Sequence, residues 1–402
     1  MSQNETMNVF SQEIVVREAQ RSLFVENKAM AIANTTLRNI AAGEVDTVVK
    51  TILSYPQSQT YTPSTDLTQR VIKGTSESLS IGTWIASLVS IDDTERIQSV
   101  VDLNKLIAKR MMASLNNDIE QRVLYEVMNA AHSLDDGNIG GTAGNNMALN
   151  TSNVPQVFIA ADNKLDAIDA PKQGRTAVIG GHMLGLLKLQ QAGRNTVFGD
   201  GVNTRGIVTN LFGWDILYSN NLYWTATLNL ATVPTEGDTI TIAGVVLTWN
   251  ATPSGAGSID IGASAAISCD NLVACINDTG TAGTTYIQLS AEDRFLLRDK
   301  RRLVATDGDS YVSFVGYGDI VVSQDLTATA DVWSAQTQNA LFCVKGCTDM
   351  IIQIPPKFEE ERAPKQFATW IKSLTGFGKK TFADGAREMV RVKIDASTSD
   401  WA

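Results

Sequence analysis

The sequence predicts an α+β protein with an inserted β-rich segment, and three stretches of the chain support that prediction. A stretch without proline or glycine runs from Asp92 to Ala131. Alternating runs on both sides of the polar stretch 55–65 indicate a β-hairpin. After Thr232, short alternating runs dominate, as in a β-rich domain. The apolar residues of the first stretch recur at the spacing of one helix face: Val100, Leu103, Ile107, Met111, Leu115, Ile119, Val123 and Val127.

The stretch from Asp92 to Ala131 is the strongest helix signal. As a single helix it would be about 55–60 Å long, which is longer than a compact domain is wide. Asp92, Asp93 and Glu95 lie at the positive end of the expected helix dipole, and Asp93 or Thr94 is the predicted N-cap. We therefore expect the spine of a flat, extended subunit rather than part of a globular enzyme.

Two extended elements are predicted before this spine. Residues 1–45 form a predicted N-terminal arm with a helix over 11–31, whose pattern fits a surface helix and an arm on a neighbouring subunit equally well. Residues 46–90 form a predicted long hairpin with little hydrophobic surface to pack on itself. Because isolated hairpins are marginal in water, we expect it to lie on another chain. The predicted contact residues at its tip are Tyr61, Pro63, Asp66, Arg70 and Lys73.

An α/β pattern follows the spine, with helices predicted over 154–167 and 182–191 and strands over 176–179 and 214–218. The segment 232–334 is predicted to be an inserted β-rich domain of about 100 residues, a usual size for a domain. Its predicted elements are a hairpin turning at Ala243-Gly244, a helix over 265–277, and strands over 258–261, 286–289, 303–306, 311–315 and 320–322. The predicted closing strands are 341–344, 350–354, 367–371, 379–382 and 389–394.

The composition limits the function. Hydrophobic residues make up 44% of the 402 residues and charged residues 19%, so the chain can bury a sizeable core. The formal net charge is −10, whereas a protein that grips nucleic acid would carry a basic face. The sequence has no run of eighteen apolar residues and no secretory signal. The four cysteines are too few for a disulfide scaffold and are expected to be free thiols in a reducing cytoplasm.

No catalytic, metal or cofactor site is predicted. His132 and His182 stand in no nucleophile-elbow context. Cys343 and Cys347 lack the further ligands that a zinc site needs, and the glycines at 140–144 are not followed by the Gly-Lys-Ser/Thr of a phosphate-binding loop. Two groups of acidic residues are also not expected to form such a site. Asp307 and Asp309 are expected to lie in a turn, and Asp162, Asp166 and Asp169 on a solvated or inter-subunit helix face.

One concentrated basic run is present, formed by Arg294, Arg298, Lys300, Arg301 and Arg302. Two interpretations stay open. The run fits an ordinary exposed stretch, and it fits a charged contact with an acidic neighbour or a decoration protein. Such charge pairs set the orientation of a contact more than its affinity.

Three segments carry a resemblance to a known family. Residues 76–84 (SESLSIGTW) lead into the spine. In residues 213–222 (GWDILYSNNL), a glycine is followed by an aromatic residue, an apolar strand and then Ser-Asn. Residues 377–385 (FGKKTFADG) are followed by Val390-Arg-Val392. Together with the order of arm, hairpin, spine, α/β unit and returning strands, they resemble the HK97-like fold of tailed-phage major capsid proteins. The likeness covers 1–231 and 335–402 as a layout.

The resemblance implies five parts. They are an N-terminal arm (1–45), an E-loop hairpin (46–90), a peripheral domain with the spine helix (91–150 and 365–402), an axial domain (151–231 and 335–364) and an inserted domain on the outer face (232–334). It also implies self-assembly as pentamers and hexamers into the icosahedral head of a virion. This head encloses dsDNA without sequence-specific binding and is assembled in the host bacterial cytoplasm, with no membrane.

The expected partners are further copies of the chain, a portal protein, a possible decoration protein and a separate scaffolding protein. Some members of the family carry a scaffolding segment ahead of the arm, whereas here the arm starts close to Met1, so the resemblance implies that scaffolding comes from a separate protein or is unnecessary. Two alternatives remain. An encapsulin-like nanocompartment shell would have the same fold, and a hydrolytic enzyme with an accessory β-domain would need a nucleophile–base pair that the sequence does not offer.

Overall fold

The computed structural model describes residues 28–36, 46–53, 58–69, 71–98, 103–192, 210–363 and 366–397. Arg70, Val100 and most of the predicted arm and its helix lie outside these ranges. The strands are β1 (Ala33–Asn34), β2 (Thr47–Leu53), β3 (Gly74–Ser80), β4 (Thr83–Asp92), β5 (His132–Leu134), β6 (Arg175–Ile179), β7 (Asn210–Leu211), β8 (Trp214–Tyr218), β9 (Tyr223–Asn229), β10 (Thr239–Ile242), β11 (Val245–Asn250), β12 (Ser258–Asp260), β13 (Val304–Asp307), β14 (Tyr311–Tyr317), β15 (Val322–Asp325), β16 (Trp333–Val344), β17 (Thr348–Arg362), β18 (Ala368–Lys380) and β19 (Met389–Asp395).

The helices are α1 (Ala29–Ile32), α2 (Asp93–Gln98), α3 (Leu103–Leu124), α4 (Val154–Asp166), α5 (Gly181–Ala192), α6 (Ala265–Asn277), α7 (Ala291–Arg294) and α8 (Ala383–Arg387). Short 3₁₀ segments span Tyr125–Asn129 and Asp136–Ile139, and a π-helical turn spans Phe295–Lys300.

The chain folds into two compact units. Unit 1 consists of Met1–Val123 and Gly346–Gly385, and unit 2 of Leu124–Lys345 and Ala386–Ala402. These units divide the chain differently from the five predicted parts. Strand β17 belongs to unit 1 because it pairs with β18, and β5 belongs to unit 2 because it pairs with β19. The five-part division stays a prediction.

Unit 1 contains a sheet of order β1-β17-β18-β4 among the described residues. Helix α3 packs on one face of it, where Ile119 and Val123 meet Met350 and Phe377. The predicted spine face is confirmed by burial: Met111, Leu115, Ile119 and Val123 are at most 5% exposed. This burial follows from the helical spacing of these residues, which places them all on the side of the helix that faces the sheet.

The spine differs from its prediction at both ends. Asp92, rather than Asp93 or Thr94, caps α2, since its Oδ1 accepts hydrogen bonds from Thr94 N (2.9 Å) and Thr94 Oγ1 (2.7 Å). The α-helix ends at Leu124 instead of continuing to Ala131. It tightens into the 3₁₀ segment and then β5, because pairing of β5 with β19 overrides the local helix preference.

Unit 2 is built on a large sheet of order β13-β14-β9-β16-β6-β8-β7, with β19 joined to β16 and β5 joined to β19, among the described strands. Helix α4 covers it through Phe158, whose ring meets Phe342 edge-on at 5.1 Å. Trp214 packs on the same Phe342 ring at 5.1 Å. The predicted helices and strands of the α/β pattern agree with α4, α5, β6 and β8.

The segment 232–334 contributes to two sheets of unit 2. Strands β10, β11, β12 and β15 form a small sheet, whereas β13 and β14 extend the large sheet through β9. One continuous core joins β9 to this segment: Trp224 and Leu228 pack in the same cluster as Ile240 and Trp249. We call 232–334 the lobe. Because β9 supplies part of its core, the lobe shares its interior with the large sheet.

Hydrogen bonds to Asp331 tie the two ends of the lobe together. The carboxylate of Asp331 accepts from Ala231 N (2.7 Å), Thr232 N (3.1 Å) and Thr232 Oγ1 (2.7 Å), and it is only 1% exposed. Two strands predicted within the lobe differ from what the structure shows. Residues 286–289 form only isolated bridges from Tyr286, and the strand predicted at 320–322 is shifted to β15.

Candidate assembly surfaces

The tip of the hairpin is a polar loop with one ordered turn. Thr65 donates from its backbone N–H (3.1 Å) and its hydroxyl (2.8 Å) to Thr62 O. Pro63 and Ser64, with φ 71° at Ser64, occupy the positions that a type II turn assigns to proline and to a positive φ. Gln59 closes the loop, because its side-chain amide accepts from Thr68 N (3.1 Å) and donates to Thr68 O (2.5 Å).

The predicted tip residues lie on this loop or at its end. Tyr61 is 64% exposed, and Pro63, Asp66 and Lys73 are also exposed. Arg70 lies outside the described residues. As contacts to another chain, the five residues stay a prediction.

The arms of the hairpin are β2 and β3, which pair in continuous register from Thr47↔Ser80 to Leu53↔Gly74. Strand β4, which the sequence placed in the second arm, instead pairs with β18. Within the two arms, only Val48 and Leu79 are buried. Large apolar side chains remain exposed along the arms and loop at 51–79%: Val49, Leu53, Tyr61, Leu67, Val71 and Ile72.

The root of the hairpin is fixed to unit 1 by an apolar cluster. Val48 and Leu79 pack with Ile81, Ile351 and Phe382, all at most 7% exposed. A Cβ on Gly378 would lie 2.7 Å from Ser80 O, so a glycine there permits the close approach of β3. The hairpin is therefore anchored at its base while its arms and loop expose apolar side chains.

A charged network surrounds the same root. Lys50 Nζ lies 2.8 Å from Asp384 Oδ2 and 3.6 Å from Asp349 Oδ2. It also lies 5.1 Å from the centre of the Phe382 ring, and Lys380 Nζ lies 5.3 Å from the same ring. Lys380 donates to Ser78 O (2.9 Å). Two lysines thus contact one buried aromatic ring, in the geometry of cation–π pairs.

Burial and ion pairing shift the pKa values of these groups in different directions. Burial raises the pKa of Asp349, although Lys50 and a hydrogen bond from Asn34 act to lower it. Burial alone would also raise the pKa of Asp384, but the hydrogen bond and charge of Lys50 and the backbone N–H of Gly385 together outweigh burial, so the pKa is lowered. Burial acts to lower the pKa of Lys50, and the two carboxylates together raise it. Lys50 therefore forms its main ion pair with Asp384, the nearer of the two acids.

The sheet of unit 1 has an apolar face opposite α3. Trp84 and Leu88 on β4 are 52% and 60% exposed, and Leu374 on β18 is 41% exposed. Gly376 lies opposite Trp84 in the register, and a side chain there would collide with the indole ring. These three side chains form a second exposed apolar surface, which sequence reasoning did not identify.

The basic run is partly used inside the lobe. Arg298 caps the end of α6, donating to Ile276 O (2.7 Å) and Cys275 O (2.8 Å) and pairing with Asp278 (2.9 Å). Arg301 Nη1 lies 3.3 Å from Asn220 Oδ1. Lys300 is exposed, and Arg294 and Arg302 are half-buried. As a contact patch for another chain, the run Arg294, Arg298, Lys300, Arg301 and Arg302 stays a prediction.

The other candidate groups fill structural positions. Asp162 and Asp166 both pair with Arg175, which is 2% exposed. All four cysteines are buried and free, and burial raises the pKa of Cys269 and Cys275 to about 12, which disfavours the nucleophilic thiolate at neutral pH. Among the described residues, no group of three or more His, Cys, Asp or Glu side chains could hold a metal ion. No helix in the same ranges is long and apolar enough to cross a membrane.

Comparisons with known proteins give a likeness of structure without a likeness of sequence. No family model and no curated protein matches the chain. A chain from Mycobacterium phage Che8 matches with a TM-score of 0.56 and 14% identity, over 96% of this chain and 97% of that one. The capsid of cyanophage P-SCSP1u matches with a TM-score of 0.50 and 12% identity, over 87% and 84% of the two chains. The mature capsid of bacteriophage PhiM1 matches with a TM-score of 0.50 and 10% identity, over 95% and 91%.

These likenesses extend over nearly the whole chain. At 10–14% identity they establish the fold, which is that of chains from phage capsids. The resemblance drawn from the sequence is thereby confirmed for the fold, and so is its mixed helix and sheet composition.

Proposed function

We propose that this chain is the major capsid protein of a tailed bacteriophage. In this proposal it self-assembles as pentamers and hexamers into an icosahedral head that encloses dsDNA. The observation that carries the proposal is the hairpin, anchored at its root yet exposing apolar side chains along its arms and loop, in a chain with a phage capsid fold. An encapsulin-like shell is the less favoured alternative, because the matched structures of cyanophage P-SCSP1u and bacteriophage PhiM1 are phage capsids.

Shell formation suits these surfaces energetically. The exposed apolar residues of the hairpin would gain about 25 cal/mol per Å² of apolar surface removed from water. Each contact between copies can be weak, because a closed assembly repeats it many times. The net charge of −10 fits a wall that contains DNA rather than a protein that grips its phosphates.

The proposed contacts and partners follow from the same surfaces. The tip residues Tyr61, Pro63, Asp66, Arg70 and Lys73 would contact a neighbouring copy. The lobe would lie on the outer face, and its basic run could meet an acidic neighbour or a decoration protein. A separate scaffolding protein and a portal protein complete the proposed set of partners in the virion and its assembly.

Electron microscopy of the expressed full-length chain tests the proposal, with closed icosahedral particles as the expected result. The matched variant deletes residues 58–72. It leaves 54–57 and 73 to join β2 to β3, a loop length usual in hairpins, so the subunit should stay folded. We expect this variant to give soluble monomers or capsomers. Closed shells from the deletion variant would contradict the role of the hairpin, and a wild-type chain that never associates would contradict the proposal itself.

A further inference from the structure

Charged side chains from both arms of the hairpin converge on the short segment that joins β18 to α8. Lys50 on β2 pairs with Asp384 (2.8 Å). Glu77 on β3 pairs with Lys380 (3.5 Å), and its Oε1 also accepts a hydrogen bond from Ala383 N (3.3 Å). Each arm is therefore tied to the same segment by its own ion pair. The hairpin supplies the positive charge in one pair and the negative charge in the other.

These ion pairs lie on a single face of the hairpin. Lys50 stands directly opposite Glu77 in the strand register, and Val48 stands opposite Leu79. Because residues two apart on a strand share a face, all four side chains point to the same side. Val48 and Leu79 pack with Phe382 of the same segment and are buried. The contact therefore has an apolar inner part and a charged outer part.

The position of this contact gives it leverage over the rest of the hairpin. The next pair on the same face, Ile52 and Thr75, does not belong to the root cluster. Each arm has seven residues, which span about 23 Å in an extended strand. A rotation of about 10° at the root would move the far end of an arm by about 4 Å. That displacement is about the distance between two carbon atoms in contact, so it would disrupt a fitted surface.

The ion pairs suit the control of direction better than the control of stability. The side chains of Lys50 and Asp384 are 35% and 46% exposed, and those of Lys380 and Glu77 are 35% and 24% exposed. Water screens such pairs, so they contribute little to the free energy of unfolding. Two pairs on two different strands nevertheless oppose tilting, because a tilt toward either strand lengthens the pair on the other and weakens its attraction.

We propose that Lys50, Glu77, Lys380 and Asp384 form a clasp that sets the direction in which the hairpin leaves the sheet of unit 1, and that shell formation needs this direction. The second half of the proposal rests on the proposed capsid function. The four side chains act through the hairpin, so they are positioning residues. Loss of the clasp therefore affects assembly much more than it affects the stability of the subunit.

Distance measurements between two spin labels in the unassembled full-length subunit test the clasp. The labels are attached at Thr75→Cys, at the far end of β3, and at Ser90→Cys on β4. Both positions are exposed, and the four native cysteines are buried. Lys50→Glu reverses one charge of the clasp, and Lys50→Glu with Asp384→Lys restores a pair of opposite charges. We expect Lys50→Glu to shift or broaden the distance distribution by about 4 Å or more, and the charge-swapped variant to restore it.

Two further variants make the comparison specific. Lys345→Glu, at an exposed lysine of unit 2, makes the same charge change away from the clasp and should leave the distance distribution unchanged. If Lys50→Glu fails to fold, Lys50→Gln removes the charge without placing another acid beside Asp349, which lies 3.6 Å from Lys50 Nζ. The same shift is then expected from Lys50→Gln.

Particle yield, counted by electron microscopy, tests the link to assembly. We expect Lys50→Glu to lower the yield about tenfold or more, because every copy in the shell carries the altered hairpin. The charge-swapped variant should recover most of the yield, and Lys345→Glu should not change it. The denaturant midpoint of the subunit should be similar in all of these proteins, which separates misdirection of the hairpin from loss of the fold.

The outcomes that would overturn the proposal differ for its two halves. An unchanged distance distribution in Lys50→Glu, or a changed one that the charge-swapped variant does not restore, would exclude the clasp. A changed distribution with normal particle yield would exclude its role in assembly. A wild-type chain that forms no particles would contradict the proposed function instead, and the distances in the unassembled subunit would still decide whether the clasp exists.

Discussion

The hairpin of β2 and β3 and the hairpin of β10 and β11 are built alike, as antiparallel strands in continuous register. Their surroundings differ. In the lobe, every second residue of β10 and β11 points into a core: Ile240, Ile242, Val245, Leu247 and Trp249 are at most 3% exposed. In unit 1, Val48 and Leu79 alone are buried along the arms of β2 and β3.

The difference shows what the alternating pattern of a strand does and does not determine. Alternation places side chains on two faces, but only a neighbouring layer decides whether a face is buried. The lobe supplies that layer within the chain, from α6 and β9. Among the described residues, the arms of β2 and β3 have no layer over them beyond the root cluster, and in the proposed assembly a second copy of the chain would cover them.

The largest expected effect lies in the core of the lobe. Trp249→Ala removes a fully buried indole ring and should lower the free energy of unfolding by about 3–5 kcal/mol, measured by denaturant titration. Val246→Ala on the same strand, where Val246 is 53% exposed, should change it by about 0.5 kcal/mol or less. If both variants lost a similar free energy of unfolding, burial of the strand face would not explain the difference between the two hairpins.

A smaller loss is expected where the lobe joins the large sheet. Asp331→Ala leaves the backbone N–H groups of Ala231 and Thr232 without their acceptor, so we expect a loss of about 3 kcal/mol. Asp325→Ala removes an exposed acid on β15 and serves as the control. Hydrogen exchange should show the loss at 231–232 first, and unchanged protection of these amides would show that Asp331 does not hold the two ends.

The next effect concerns the root of the hairpin. Lys50→Met removes the ion pairs to Asp384 and Asp349 and should loosen β2 by about 1 kcal/mol, read from hydrogen exchange of the β2 amides. Lys345→Met, at an exposed lysine of unit 2, is the matched control.

The same root should respond to pH with a defined sign. The pKa of Asp384 is lowered on folding, so its contribution is present above the usual carboxyl range and is lost as pH falls below about 4. The pKa of Lys50 is raised, so its contribution is present below about pH 10 and is lost above it. Asp349, with a raised pKa, partly offsets the acid loss. Protection of the β2 amides, taken relative to their intrinsic exchange rates at each pH, that does not change at either limit would exclude this network as the anchor.

The sequence predicted elements whose signals are local. Helix α6 has the limits that the helical period of its apolar residues predicted, and in the structure Ser264 caps its first turn. The hairpin turn at Ala243-Gly244 was also correct; positive φ values of 52° and 87° there fit a two-residue turn. Both signals lie within a few residues of the element that they define.

The parts that were missed depend on distant segments. The end of the spine is set by β19, and the charged network at the hairpin root joins Lys50 to Asp349 and Asp384, far along the chain. Strand β18 was predicted as two short strands because its long pairing with β17 and β4 is not visible in its own pattern. A single sequence carries no record of which segments meet, so these features required the structure.

The smallest expected effect on the subunit is also the sharpest test of the comparison. Val49→Ser and Leu53→Ser change side chains that are 61% and 64% exposed, so each should alter the free energy of unfolding of the isolated subunit by about 0.5 kcal/mol or less. If another copy covers these side chains, the same substitutions should reduce particle yield strongly, since every repeated contact is weakened at once. Val246→Ser, at a valine of the lobe that is 53% exposed, should leave yield unchanged. Normal particle yield from the paired hairpin variant would mean that the arms stay uncovered in the assembly, and the apolar surface of the hairpin would then need another explanation.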